Sequence, residues 1–426
     1  EDGTLVAVPT PIRIRELDSI PSPYLMGLMD PFFDGRLSPM IQTNRGCPFK
    51  CTFCADGSDF ANKVNHFGIE RIKDELNYIA HRAPETIKAL HIADLNFGMY
   101  KHDADICDII GDIKREFDYP LYVNTATGKN SKKRIISALE KLEGVLYMDL
   151  AVQSMTPDVL KNIKRDNIRL DDFLGLKHAI KTAKVPTLSE IILGLPGETQ
   201  ETHFDTINQL MTSEIENVIP YTLMLLNGSE LATPAQRKMW GFETKFRVLP
   251  RDFSRMKNGE NVIEIEEVVV ATNTLPYEDY VQCRKMALLI SIFNTIGFRA
   301  IQKLFLQNHI PPMALFTSLL ESAKSLPEAD DSQKGPRLIQ EFEKATRSEL
   351  WDSAEELTAF FDDDDNFQGL VEGRHGINLI QTFKAQALAR CYEDLAELFF
   401  RQADALLLEH GADKNLLEEM RQAQSY

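Results

Sequence analysis

The sequence is poor in cysteine, has no long apolar run and shows no excess of basic residues. Six cysteines among 426 residues are too few for a disulfide-built scaffold. No apolar run approaches the ~20 residues that cross a bilayer, and the acidic start, Glu1-Asp2, lacks the basic end of a secretory signal. The sequence therefore predicts a protein of the reducing cytoplasm without a membrane span. Since it does not begin with Met, we expect it to be part of a longer gene product.

The charge balance argues against nucleic acid as a partner. Asp and Glu number 64 against 47 Lys and Arg, which gives a formal net charge of -17 at pH 7. A field of this sign repels phosphate backbones, and no basic run is long enough to offset it. We therefore expect no nucleic-acid partner.

Three of the cysteines stand close together, in the spacing C-x3-C-x2-C at Cys47, Cys51 and Cys54. Three thiolates on one short loop can hold three irons of a cubane cluster and leave the fourth iron open to an outside ligand. Zinc is the alternative metal, but no fourth Cys or His follows at a finger-like interval. The remaining cysteines are expected to be small buried residues: Cys107, Cys283 and Cys391.

Short apolar runs alternate with amphipathic helical patterns between residues 37 and 235. Six strand-then-helix units predict an α/β fold with a parallel sheet, closing partly into a (β/α)6 barrel that carries its chemistry at the strand C-terminal ends. The predicted strands are Met40–Thr43, Ala89–Ala93, Leu121–Thr125, Val145–Val152, Leu188–Leu193 and Val218–Leu226. The predicted helices are Ile69–His81, Ala104–Phe117, Lys132–Lys141, Pro157–Lys164, Leu170–Ala183 and Thr199–Thr212.

The rest of the chain differs from this core in composition. We expect four regions: an extended, proline-rich arm over 1–36, the core over 37–235, a barrel-mouth extension over 236–276, and a helical C-terminal domain over 277–426. Val262–Val270 alternates like a half-exposed strand, and Tyr280–Phe305 and Ile380–Leu408 have helical periodicity. The four acids of Asp362–Asp365 predict a solvated loop.

The cysteine motif, with Phe53 just before its last cysteine, resembles the cluster loop of radical S-adenosylmethionine (SAM) enzymes. This resemblance implies a [4Fe-4S] cluster on the three cysteines, SAM on the open iron, and Phe53 facing the adenine. After the second predicted strand, Ala93-Asp94-Leu95-Asn96-Phe97-Gly98 resembles the Asp-x-Asn-Phe form of the cobalamin-linked branch, and not the Gly-Gly-Glu of many members. The resemblance implies that Asp94 and Asn96 receive the amino group of SAM, although Asn96 also suits an ordinary turn.

Later segments resemble further family signatures. Gln153-Ser154, followed by Lys164-Arg165, is similar to a frequent pairing in the family. It implies that Gln153 and Ser154 bind the ribose or the amino acid part of SAM, and that Arg165 offers its guanidinium to the carboxylate. The turn beginning Gly194-Leu195 is implied to flank the adenine, and Asn124 is placed in the same mouth by the third strand.

The arm carries a resemblance to one subfamily. Pro21–Leu25 and Asp30–Asp34 resemble the connector to a cobalamin-binding domain in class B radical SAM methyltransferases, yet the Asp-x-His-x-x-Gly motif of that domain does not occur in this sequence. Two reaction types stay open: methyl transfer from methylcobalamin to an unactivated carbon or phosphorus, and a cobalamin-independent rearrangement, epimerisation or cyclisation. No catalytic side chain is assigned.

The resemblance also implies partners, namely a small or natural-product-like substrate and an electron donor such as flavodoxin or ferredoxin. Two further alternatives fit less well. A non-enzymatic iron–sulfur protein would not need the Gln-Ser, Arg and Gly-Leu-Pro-Gly features. A methylthiolating, tRNA-modifying enzyme is disfavoured by the net charge of -17.

Overall fold

A computed structural model describes residues 12–128, 132–142, 144–146, 148–149, 151–167, 187–324, 334–412 and 414–424. Contacts group them into two units. The first unit runs to Met148, and the second contains Asp149–Asn167 and the described residues from Thr187 onward. The domain boundaries expected from the sequence stay a prediction.

The strands of the described residues follow the chain in this order: β1 Met40–Ile41, β2 Asn44–Arg45, β3 Asn65–His66, β4 Ala89–Ile92, β5 Tyr122–Asn124, β6 Met148–Asp149, β7 Thr187–Leu193, β8 Asn217–Thr222, β9 Glu243–Arg255 and β10 Asn261–Ala271.

The α-helices of the described residues are α1 Ile69–Ala80, α2 Lys101–Phe117, α3 Lys132–Lys141, α4 Pro157–Asn162, α5 Gln200–Thr212, α6 Pro234–Trp240, α7 Tyr277–Phe293, α8 Ile296–Gln307, α9 Pro312–Lys324, α10 Lys334–Ser348, α11 Ala354–Phe361, α12 Asp364–Val371, α13 Leu379–Arg390, α14 Tyr392–Glu409 and α15 Lys414–Gln424. Short 3-10 turns occur at Leu17–Ser19, Asp30–Phe32 and Ala55–Gly57.

The first unit contains a parallel sheet in the order β1-β4-β5, with Met40 opposite His91 and Ala89 opposite Tyr122. Helices α1 and α2 connect successive strands, and α2 buries an apolar stripe at Ile106, Ile110 and Ile113. Because the strands are parallel, their carboxyl ends meet at one edge of the sheet. The loops that carry the predicted site residues leave the strands at that edge.

The second unit contains the parallel pair β7-β8, in register from Leu188 opposite Asn217 to Leu193 opposite Thr222. Beyond β8 the chain pairs with the long antiparallel hairpin of β9 and β10, since Val269 N donates to Leu223 O at 2.9 Å. Helices α7 to α15 follow. Helix α7 is buried nearly all round, and the Phe293 ring stacks on Phe399 at a centroid distance of 5.0 Å.

The predicted α/β class and the C-terminal helical region are confirmed, and α3 has the predicted bounds, Lys132–Lys141. The helical periodicity predicted over Tyr280–Phe305 is confirmed and is divided between two helices, because α7 ends at Phe293 and the chain bends by 106° before α8. The periodicity predicted over Ile380–Leu408 is likewise confirmed and is divided between α13 and α14 at Cys391.

Several other predictions need correction. Within the strand predicted over Val145–Val152, the described residues form β6 at Met148–Asp149 and a single bridge from Leu146 to Val123. The solvated loop predicted over Asp362–Asp365 is confirmed at the exposed Asp362 and Asp363 and is wrong at Asp364 and Asp365, which begin α12. Asp363 caps this helix by accepting hydrogen bonds from the amides of Asp365 and Asn366, because acidic side chains favour a helix start. The helix predicted over Leu170–Ala183 lies outside the described residues.

The cysteines outside the motif are buried as predicted. Cys107 and Cys283 are fully buried, and Cys391 is 8% exposed. Burial raises the pKa of the Cys107 thiol to about 12, so this side chain stays protonated and uncharged at neutral pH. Within the part of the chain that the structure describes, no single helix is long and apolar enough to cross a membrane, and only the bent pair of α7 and α8 reaches that composition.

Candidate cofactor site

The loop that carries Cys47, Cys51 and Cys54 is folded tightly upon itself. Gly46 has a φ of 114°, and a Cβ atom there would lie 2.2 Å from the carbonyl oxygen of Lys63. A Cβ at Gly57 would lie 2.3 Å from the carbonyl oxygen of Cys51. Cys47 and Cys51 are buried and Cys54 is half-buried, so the loop presents its thiols in a largely dry setting.

Asp94 anchors the chain that leads into this loop. Its carboxylate accepts hydrogen bonds from the Thr43 amide at 2.8 Å, from the Asn44 side-chain amide at 2.6 Å, and from the Thr43 hydroxyl. Burial raises the pKa of Asp94, and the hydrogen bonds from Thr43 oppose that rise. The amine-binding role of Asp94 stays a prediction, and its hydrogen bonds to Thr43 and Asn44 fix the approach to the cysteines.

Asn96 lies directly beside a cysteine of the motif. Its Nδ2 donates to Cys47 Sγ at 3.3 Å, while its Oδ1 is buried and has no hydrogen-bond partner in the described residues. A donor to a ligating sulfur stabilises the thiolate and tunes the metal behind it. The sequence also allowed an ordinary turn at Asn96, and in the structure the Asn96 side chain contacts the predicted cluster loop.

Several more polar atoms of the first unit are buried without a partner in the described residues. Buried polar atoms are normally paired, so such a group marks a place where another molecule completes the contacts. These atoms are Thr52 Oγ1, Asn96 Oδ1, Tyr100 OH, His102 Nε2, Asp103 Oδ1 and Thr125 Oγ1. Thr52 lies within the cysteine loop, and the others follow strand β4 or β5.

Three of these atoms belong to titratable side chains, those of Tyr100, His102 and Asp103, and His66 lies beside two of them. The ring of His66 lies 5.2 Å from the Tyr100 ring and 5.1 Å from the His102 ring. Burial lowers the pKa of His66 and raises that of Tyr100. Burial also raises the pKa of Asp103 to about 7, although its Oδ2 accepts a hydrogen bond from the Tyr100 amide at 2.8 Å.

The chemistry of this donor set fits a cubane cluster. Among the described residues, no three His, Cys, Asp or Glu side chains converge on a point where one ion could bind. A cubane does not require that convergence, because each thiolate binds a different iron. Phe53 is half-buried between two of the cysteines, and Asn124 is exposed at the end of β5, opposite His91 of β4. Their contacts to SAM stay predictions.

In the second unit, Gln153 and Ser154 lie in a tight turn. Gln153 has a φ of 64°, which non-glycine residues rarely adopt, and its backbone pairs with Glu190 and Ile192 on either side of its bridge to β7, both at 2.9 Å. Both residues are buried, and Ser154 Oγ accepts from the Thr156 amide at 3.2 Å. The turn is thus held rigidly against the sheet.

Arg165 is buried and holds the same turn from the other side. Its Nε donates to Asn167 Oδ1 at 2.8 Å, and its guanidinium also donates to the Ala151 carbonyl. Asn167 Nδ2 donates in turn to the carbonyls of Val152 and Ser154 at 2.8 and 2.9 Å. Sequence reasoning missed Asn167, whose signal is only its place two residues after Arg165.

The turn after β7 is closed by a second residue that sequence reasoning did not place in the site. Gly194 has a φ of 90°, and its amide donates to Glu198 Oε2 at 2.7 Å. The other carboxylate oxygen of Glu198 lies 3.0 Å from His203 Nδ1, and both side chains are 1% exposed. Leu195 is fully buried in this turn. The contacts of Gly194 and Leu195 to adenine stay predictions.

The chain is similar in sequence to known proteins. Residues 41–210 match the Radical SAM superfamily. The cobalamin-dependent radical SAM methyltransferase TokK of Streptomyces tokunonensis is 31% identical over 293 residues, which cover 66% of this chain and 42% of TokK.

Two further proteins are similar. A 2-(S-pantetheinyl)-carbapenam-3-carboxylate methyltransferase of Streptantibioticus cattleyicolor is 28% identical over 64% of this chain and 40% of its own length. The match therefore spans less than half of either curated relative. The solved structure of the radical SAM methyltransferase TsrM from Kitasatospora setae, with tryptophan and a SAM analogue, aligns over 74% of this chain and 63% of TsrM, at 14% identity and a TM-score of 0.47.

Proposed function

Because residues 41–210 match the Radical SAM superfamily, we propose that this protein is an enzyme that cleaves SAM reductively and functionalises an unactivated C–H bond of an organic substrate. The observation that carries the proposal is the cysteine loop of the first unit. Cys47, Cys51 and Cys54 would hold a [4Fe-4S] cluster with one iron left open for SAM. When bound and reduced, the cluster supplies the electron that breaks the S–C5′ bond of SAM and releases a 5′-deoxyadenosyl radical.

The residues around the loop position and protect this chemistry. Asp94 fixes Thr43 and Asn44, and thereby the start of the loop. Asn96 donates a hydrogen bond to the Cys47 sulfur, which stabilises its thiolate form. The buried atoms without partners in the described part of the first unit offer donors and acceptors for the polar groups of SAM.

The residues of the second unit contribute through the shape of their turns. Arg165 donates to the carbonyl of Ala151, and Asn167 donates to those of Val152 and Ser154. Glu198 accepts from the amide of Gly194. Turns fixed in this way present a preorganised backbone to a cofactor and exclude water from it.

We propose methyl transfer with cobalamin as the reaction. The support is that the two curated relatives described above are both named methyltransferases, and that one is named cobalamin-dependent. The substrate is a small, natural-product-like molecule, and the electron comes from a donor such as flavodoxin or ferredoxin.

The test is anaerobic reconstitution of the protein with iron and sulfide, followed by incubation with SAM and a strong reductant. We expect 5′-deoxyadenosine to form, and we expect the full-length gene product to bind added methylcobalamin tightly. An intact cluster that yields no 5′-deoxyadenosine would overturn the proposal. Formation of 5′-deoxyadenosine without any cobalamin binding by the full-length gene product would instead support a cobalamin-independent rearrangement, epimerisation or cyclisation.

A further inference from the structure

A large cavity of about 1140 Å³ lies within the second unit. Strand β8, the hairpin β9–β10, helix α7 and the start of α13 line it. Pockets that bind small molecules measure roughly 300–1,000 Å³, so this cavity has room for a ligand of drug-like size. Its lining residues all belong to the second unit, and the inference drawn from it does not rest on the proposed function.

The cavity is more positive than the chain as a whole. Four cations and three carboxylates line it, which leaves one net positive charge in a chain of net charge -17. The charged lining residues are Arg247, Arg284, Arg299, Lys384, Glu216, Glu266 and Glu349. Salt bridges pair Arg247 with Glu266 at 2.9 Å and with Glu349 at 3.2 Å, and Arg299 with Glu216 at 3.8 Å.

Arg284 is the most deeply buried of these cations and is only partly paired. Its side chain is 7% exposed, and its Nη2 lies 3.5 Å from Glu349 Oε1, an oxygen that already accepts from Arg247. Its Nε is buried without a hydrogen-bond partner in the described residues. A buried charged donor that lacks an acceptor is costly, because it has lost water and gained no replacement.

Ser291 adds a second unpaired group on the same helix. Seven residues separate it from Arg284, so both side chains lie on one face of α7, and both line the cavity. The Ser291 hydroxyl is buried, and no hydrogen-bond partner for it exists in the described structure. The two unpaired donors therefore lie along one wall.

We propose that this cavity binds a small monocarboxylate with an apolar body. A guanidinium matches a carboxylate in a planar, two-point contact, and a single negative charge balances the single net positive charge of the lining. Leu249, Pro250 and Ile380 supply apolar surface for the rest of the molecule. An extended peptide fits less well, because Pro220 removes an N–H from the middle of β8 and blocks addition of a strand there.

Isothermal titration calorimetry of the whole protein with octanoate tests this proposal. Octan-1-ol, which has the same chain without the charge, is the matched ligand. We expect octanoate to bind at one site, about ten-fold or more tightly than octan-1-ol, since the carboxylate gains a charge-assisted contact. Arg284→Met should weaken octanoate about ten-fold or more, and Lys384→Gln should weaken it several-fold.

Arg401→Met is the control variant, because Arg401 is an exposed arginine of the same unit and does not line the cavity. It should leave the affinity for octanoate unchanged. Absence of saturable octanoate binding would overturn the proposal and assign the unpaired donors to water. Equal binding of octanoate and octan-1-ol would overturn it as well. If Arg284→Met does not fold, Arg284→Lys and Lys384→Gln take its place in the test. An unchanged affinity for octanoate in both variants would contradict the proposed binding site.

Discussion

The polar side chains that surround the predicted cofactor residues differ between the two units. Around the cysteine loop of the first unit, Asn96, Tyr100 and Asp103 each keep a buried polar atom that no described residue satisfies. In the second unit, the Arg165 guanidinium donates to Ala151 and Asn167. Both carboxylate oxygens of Glu198 are also engaged, one by the Gly194 amide and the other by the His203 ring. The side chains around the cysteine loop thus keep unpaired polar atoms, whereas Arg165 and Glu198 of the second unit use their polar groups to shape turns.

This difference separates two kinds of mutational effect. A change beside the cysteines should alter the cluster itself, because the side chains there contact its ligands. A change in the second unit should spare the metal and alter affinity for SAM, because the side chains there set the backbone that a cofactor would meet. The predictions below test this separation, from the largest expected effect to the smallest.

The largest effect is expected at the cysteines of the motif. Cys47→Ala, Cys51→Ala or Cys54→Ala should each abolish the visible cluster absorbance and all 5′-deoxyadenosine formation, since a cubane needs its three thiolates. Cys107→Ala is the control, because Cys107 is fully buried away from the motif. Iron analysis measures the cluster content, and a product assay measures 5′-deoxyadenosine. A Cys51→Ala protein that retains four irons and turnover would refute the assignment.

A smaller effect is expected at Asn96. Asn96→Ala removes the donor to Cys47 Sγ, so the cluster should form but shift to a more negative reduction potential, and SAM cleavage should fall roughly 10–100-fold. Spectroelectrochemistry reports the potential. Asn77→Ala is the control, because Asn77 donates only within its own helix. An unchanged potential in Asn96→Ala would remove this residue from the cluster environment.

Replacements in the second unit should affect the cofactor and not the metal. Arg165→Ala and Asn167→Ala should weaken SAM binding by about ten-fold each at full iron content, because both release the carbonyls of residues 151–154. Equilibrium binding of SAM to the oxidised protein measures this. If Arg165 acts directly on the SAM carboxylate, Arg165→Ala weakens binding and Asn167→Ala does not, which would contradict the comparison.

The smallest effect concerns pH and Asp103. Burial raises its pKa to about 7 in the folded protein, so the folded state holds a proton that the unfolded chain has released. Stability should therefore fall as the pH rises from about 4 to about 7, by at most a few kcal/mol. Melting temperatures at about pH 5.5 and about pH 8 should differ less in Asp103→Asn than in the wild type. Asp105 is exposed, so Asp105→Asn is the control and should keep the wild-type difference in melting temperature. An equal difference in all three proteins would refute the raised pKa of Asp103.

Much of the fold could be predicted because local patterns carry it. The apolar periodicity of α3 gives its bounds, and the spacing of Cys47, Cys51 and Cys54 identifies their loop. The break between α7 and α8 could not be predicted in this way. Apolar periodicity runs through it, and α7 is buried on nearly all sides, so no polar face marks where the helix ends.

The supporting residues of the site were harder to predict than the ligands. Cysteine in this spacing has few other uses, whereas Asn167 and Glu198 are ordinary polar residues whose roles depend on which backbone groups the fold brings to them. The four acids at Asp362–Asp365 show likewise that composition alone does not predict local structure. Asp363 caps α12 because of its position at the start of that helix.

Electron paramagnetic resonance of the reduced, anaerobically prepared protein tests the central claim most directly. The claim is that Cys47, Cys51 and Cys54 hold a [4Fe-4S] cluster with one iron open to SAM. The account predicts a [4Fe-4S]+ signal whose g values shift when SAM is added, and which is lost in Cys47→Ala. A cluster signal that SAM leaves unchanged, or a mononuclear metal in its place, would contradict it.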